Sequence, residues 1–176
     1  MKQWLRLVIL ALFSALPAMA QTKPLVFYNV DVFDGYHILR GRMVTVEDGM
    51  IQSVTAAGVR PPDPAVVIDG AGRTLLPGLI DAHVHIGHEE TLEQAAALGV
   101  TTVLDMWGNP NSLIPLKKEI ERGEHPNAAD FRTAGTGATV PHGHPTQMAG
   151  PKFPTLDAGD DVQAFVDARF AESSDY

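Results

Sequence analysis

Two histidines one residue apart, His83 and His85, close an apolar run that opens at Leu79. Successive side chains of a β-strand alternate between faces, so residues i and i+2 share one. Two imidazoles on one face at the end of a strand form half of a divalent-metal site. Neutral imidazole is the commonest metal ligand, and a catalytic zinc takes three protein ligands plus an open position. The competing reading is a pair of unliganded histidines. Asp81 precedes His83 by two residues on the same face. Its carboxylate either orients a ligand histidine or caps a loop.

A second pair lies in Pro141-His142-Gly143-His144-Pro145. Two prolines and a glycine make this backbone irregular, so a shared face does not follow from the spacing. From the residues alone, His142 and His144 stay open between a further metal site and a merely solvated loop. His88 reads as a surface residue. The chain has no cysteine, so any metal it holds is bound through nitrogen and oxygen.

The elements that must position these residues follow two rhythms. From Pro24 to Ile68 short strands alternate with turn residues: a β-rich Leu25 to Val32, a turn at Asp34-Gly35, and Arg42 to Glu47 with Val44 and Val46 on one face. Asp48-Gly49 signals a hairpin whose partner strand is Met50 to Thr55, and Ala65 to Ile68 reads as a further strand. After Gly72 the order becomes strand, helix, strand. Leu79 to Ile86 is expected to be a strand buried on both faces. Thr91 to Leu98 reads as a helix stopped by Gly99, and Val100 to Leu104 as the next strand. Leu113, Leu116 and Ile120 share a helical face ended by Gly123, and Phe131 to Ala134 is the third strand. Val162, Phe165, Val166 and Arg169 mark a last helix. The expected fold class is α/β: about three βα units of a (β/α)8 TIM-type barrel, preceded by the strands of a small β-sandwich subdomain. Three strands cannot close such a barrel.

Pro77-Gly78-Leu79-Ile80-Asp81-Ala82-His83-Val84-His85 resembles the first-strand signature of the metal-dependent amidohydrolase superfamily, in its imidazolonepropionase and prolidase-like branch. Gly99-Val100-Thr101-Thr102-Val103-Leu104-Asp105 is similar to a run those proteins carry on the second strand, with Leu104 where arginine is common. Asp105 reads chiefly as a structural hydrogen-bonding residue. The resemblance covers about Leu25 to Tyr176 and implies an N-terminal portion of a longer protein: a β-subdomain and then the barrel. It further implies hydrolysis of a carbon–nitrogen bond in a small-molecule amide, peptide or cyclic imide, with one or two divalent metal ions, zinc first among them. His83 and His85 would be metal ligands, and His144 with His142, in the loop after the third strand, would contact the substrate rather than a second metal. The family's lysine, its two later histidines and its late aspartate have no counterpart here, which implies that these 176 residues alone are inactive.

Residues 1–20 differ from the rest. Lys2 and Arg6 flank the start, Leu7 to Leu16 is almost wholly apolar, and Ala18-Met19-Ala20 has the form of a cleavage site. This pattern predicts a signal peptide, an exported protein and a periplasmic location. It leaves a β-subdomain over residues 21–75 and the barrel portion over 76–176. Cleavage removes two of the 13 basic residues and none of the 21 acidic ones, moving the formal charge from −8 to −10. That balance disfavours nucleic acid and anionic membrane as partners. Oligomeric state is not legible. Two other classes stay open: a truncated, non-catalytic relic, and a periplasmic metal- or ligand-binding module using His142 and His144.

Overall fold

The computed structural model describes residues 23–58, 60–148 and 152–176. The expected signal peptide lies outside them. The chain divides into two compact units, one up to Pro77 and one from Gly78.

The first unit is a sheet built around its first strand. Strands β1 (Leu25–Phe33), β2 (Ile38–Glu47) and β3 (Met50–Ala56) form an antiparallel meander. Strands β4 (Val66–Asp69) and β5 (Thr74–Leu75) both run parallel to β1. Asp34 makes the first turn by accepting the Tyr36 and His37 N–H groups at 2.8 and 2.7 Å. Asp48 and Gly49 both take positive φ, 48° and 76°, as a tight turn matched to strand twist requires. Val26, Val30, Met43 and Val44 are the buried apolar side chains of this sheet, joined by Asp31 and Thr45 among the polar ones.

The second unit alternates strand and helix. Strand β6 (Leu79–Val84) leads to helix α1 (Glu90–Ala97), β7 (Val100–Asp105), helix α2 (Pro110–Glu121), β8 (Asp130–Thr133) and, after a long loop, helix α3 (Val162–Ala171). The three strands are parallel in the order β6-β7-β8, so the second unit is an α/β sheet of three βα units. Gly99 and Gly123 follow α1 and α2 with φ of +86° and +76°, the left-handed geometry that ends a helix and favours glycine. Asn109 and Asp161 cap α2 and α3 by accepting the N–H of Asn111 and Ala164. One apolar cluster joins the elements: Ile86 and Val103 at the sheet, Leu92 on α1, Leu113 on α2 and Phe131 on β8.

One expectation is corrected. Strand β6 is not buried on both faces among the described residues, and Leu79 and Ile80 are 60% and 65% exposed. It is an edge strand with a neighbour on one side only, and its other face has no layer over it. The apolar positions of α3 are likewise uncovered. Val162 and Phe170 are exposed, and Phe165 packs under the Arg169 guanidinium, 4.5 Å from the ring centre.

Candidate metal site

His83 is the penultimate residue of β6, and His85 follows the strand's last residue. Both are exposed, and their rings meet edge to face with centroids 5.6 Å apart and planes at 86°. The expected shared face is therefore present. The His85 Nδ1 lies 3.3 Å from the Trp107 carbonyl oxygen. A carbonyl only accepts, so this contact calls for a proton on Nδ1, and the tautomer it favours leaves Nε2 as the ring's acceptor atom. The His83 ring has no hydrogen bond among the described residues. Asp81 accepts the backbone N–H of His83 at 3.1 Å, so its carboxylate acts on the chain rather than on an imidazole.

The donor chemistry fits half of a zinc centre: two imidazoles side by side, one with its Nδ1 turned to a carbonyl. Among the described residues no set of three or more His, Cys, Asp or Glu is placed to hold a metal ion.

Three consecutive residues, the last of β7 and the two after it, surround His85. Asp105, fully buried, accepts the Ile86 N–H at 2.9 Å and the Thr133 hydroxyl at 2.6 Å. Met106 N–H donates to the Val84 carbonyl at 2.9 Å, and Trp107 supplies the acceptor for the His85 ring. The Tyr176 hydroxyl donates to the Asp105 carbonyl at 2.8 Å. Burial and then the charges of Asp105 and Asp175 raise the pKa of that phenol, so it stays a donor.

A cavity of about 690 Å³ opens next to this end of the sheet, lined by Ile86, Trp107, Asn109, Lys152, Phe153 and Glu172 among others. Trp107 and Phe153 meet edge to face at 4.9 Å. Its mixed apolar and polar wall and its size suit a small organic ligand. The histidine pair of the long loop stands apart. His142 is exposed at a φ of 63°, and the exposed His144 ring takes a hydrogen bond from the Gln147 amide at 3.1 Å. Neither bonds to His83 or His85, and the cavity wall includes Pro145 but neither histidine. Trp107 is the residue that sequence reasoning missed. Its place just past a strand end, where barrel proteins carry their chemistry, was the available signal.

No protein-family model matches the chain. A dihydroorotase from Desulforapulum autotrophicum is 34% identical over 90 residues, which is 46% of this chain and 21% of that protein. An imidazolonepropionase from Idiomarina loihiensis is 45% identical over 53 residues, 30% of this chain and 13% of its own length. Among solved structures, a candidate prolidase from Bifidobacterium longum superposes with a TM-score of 0.72 at 22% identity, covering 88% of this chain and 40% of that one. The chain is related to the amidohydrolase superfamily. A Xaa-Pro dipeptidase solved with methionine in its active site gives a TM-score of 0.68 at 21% identity, over 87% of this chain and 46% of that one. At these identities the superpositions establish the fold: the three βα units correspond to part of an amidohydrolase barrel. The chain's match spans about a fifth of the curated dihydroorotase.

Proposed function

We propose that this chain carries the first metal-binding strand of an exported, metal-dependent hydrolase of carbon–nitrogen bonds, with zinc as the metal and His83 and His85 as two of its ligands. The carrying observation is the pair of exposed, touching imidazoles at the C-terminal end of a parallel strand, one of them with its Nε2 left free. Relatives named dihydroorotase, imidazolonepropionase and prolidase support a small amide, cyclic imide or dipeptide as the substrate. A divalent metal at such a centre polarises the substrate carbonyl and lowers the pKa of water to about 7.

The chain's own residues have three tasks. His83 and His85 present ring nitrogens on one side of the strand. The Trp107 carbonyl keeps the His85 proton on Nδ1, where it does not compete for the metal. The Trp107–Phe153 cavity offers an apolar wall against which a small substrate is oriented and water excluded. Two imidazoles are fewer than the three protein ligands of a catalytic zinc, so hydrolysis belongs to a completed ligand set in the whole protein.

The test is a hydrolysis assay of the whole protein on dipeptides, N-acyl amino acids and cyclic imides, with zinc content measured alongside. His83→Ala is expected to abolish turnover and lower bound zinc. Unchanged kcat/KM in that variant sinks the reading. Export is checked separately: N-terminal sequencing of the protein recovered from the periplasm is expected to begin at Gln21, and an intact Met1 there argues against cleavage.

A further inference from the structure

We propose that Asp105 is a positioning residue for the metal ligands: its buried carboxylate fixes the path of the chain on leaving His85 and so aims the His85 ring. This rests on the reading of His83 and His85 as ligands. It assigns a role to a buried charged group that the hydrolytic reading leaves unused.

The strand ladder does not hold His85 by itself. The β6–β7 pairing breaks register between Asp81 and Val84, across His83, and β6 ends at Val84. His85 is held instead at three points by three successive residues. The Met106 N–H grips the Val84 carbonyl just before it, the Trp107 carbonyl takes its ring proton, and the Asp105 carboxylate takes the Ile86 N–H just after it. Rotation of the Ile86 peptide moves the chain at His85, so the third grip governs where Nε2 points.

Asp105 is built to do this firmly. Its second oxygen is tied to the Thr133 hydroxyl on β8, which in turn accepts the Gly135 N–H at 2.9 Å. A single carboxylate thus joins β7, β8 and the chain just past β6. No cation pairs with it among the described residues, although a buried carboxylate is costly to keep. The turn beyond it is shaped to fit: a Cβ on Gly108 would lie 2.8 Å from the Asp105 carboxylate and 2.0 Å from the Leu113 side chain.

A mere staple of the sheet would affect stability alone, whereas a positioning residue also alters metal affinity. The experiment measures zinc affinity of the whole protein by competition with a chromophoric chelator, and the unfolding midpoint of the metal-free form. It compares wild type with Asp105→Ala, Asp105→Asn, Thr133→Val, Phe131→Leu and His85→Ala. Asp105→Ala is expected to weaken zinc binding about tenfold, in the range seen when groups that orient a ligand are removed. Asp105→Asn keeps an acceptor for the Ile86 N–H and should stay within about threefold of wild type. Phe131→Leu, a cavity in the core that packs Ile86, is the control for stability: at a similar drop in midpoint it should weaken zinc binding less than Asp105→Ala does. If the alanine variant does not fold, Thr133→Val decides: it frees the carboxylate to rotate and should weaken zinc and shift the His85 ring resonances of the metal-free protein. An alanine or Thr133→Val variant that binds zinc as tightly as wild type, or an asparagine variant as weak as the alanine one, overturns the proposal. Failure of the underlying reading looks different: wild type and His85→Ala then bind zinc equally.

Discussion

Single residues carry the chemistry here, and they were unevenly legible. His83 and His85 could be found because their type names the chemistry and the two-residue period of a strand supplies the shared face. Their partners could not. The Trp107 carbonyl is a backbone group that every residue has, and its role comes from β7 lying beside β6. The Trp107 side chain also depends on a distant residue, since a Cβ on Gly137 would lie 2.1 Å from the indole ring. Gly137→Ala must therefore displace the indole or the loop that carries Gly137. Trp107 is one of two tryptophans in these 176 residues, so its contribution to the emission is read as the difference between variant and wild type. We expect a shifted emission maximum and a raised KM for substrate in the alanine variant. An unchanged spectrum means that the loop yields instead and that the indole is not fixed by Gly137.

At the level of elements the sequence was read closely. The Asp48-Gly49 hairpin and the helix stops at Gly99 and Gly123 lie where their local chemistry put them, because a positive φ at glycine is a local property. Burial was read less well, since it depends on what packs over an element. An apolar run such as Leu79-Ile80 looks like a strand covered on both sides, yet β6 has a neighbour on one side only and both residues are exposed. What holds β6 in place is its far end, where Ile86 joins Leu92, Val103, Leu113 and Phe131. Leu92, with no exposed surface, ties α1 to that cluster. Leu92→Ala should cost about 2–5 kcal/mol in denaturant unfolding of the second unit, the usual range for a leucine cavity. It should also loosen the chain after β6, with faster amide exchange at Ile86. A loss under about 1 kcal/mol would mean that the cluster collapses around the gap, and that α1 contributes little to holding the site.

Over the whole molecule, acidic residues outnumber basic ones by 21 to 13, and this excess sets how the fold answers to pH. Composition shows the excess but not where carboxylates converge on one titrating group. The second unit has such a place. His125, after α2, hydrogen-bonds Glu119 of that helix at 3.2 Å through one ring nitrogen and Glu89, at the start of α1, through the other. With both nitrogens facing carboxylates, the charged imidazolium is the form that satisfies all three groups. The Glu119 hydrogen bond and then that of Glu89 hold the His125 pKa above its ordinary value. The neighbouring Glu124, itself held low chiefly by Arg122, adds negative charge nearby. A folded-state pKa above the unfolded one stabilises the fold fully below about pH 6.5, and this contribution disappears as pH rises through the folded value. The bridge between α1 and α2 therefore belongs to the range below the raised His125 pKa and above the pKa values of its two carboxylates. Measured by thermal unfolding from about pH 6 to about pH 9, the margin of wild type over His125→Gln should shrink as pH rises. A margin constant across that range would show that His125 contributes by packing alone, with its charge immaterial to how the two helices are held.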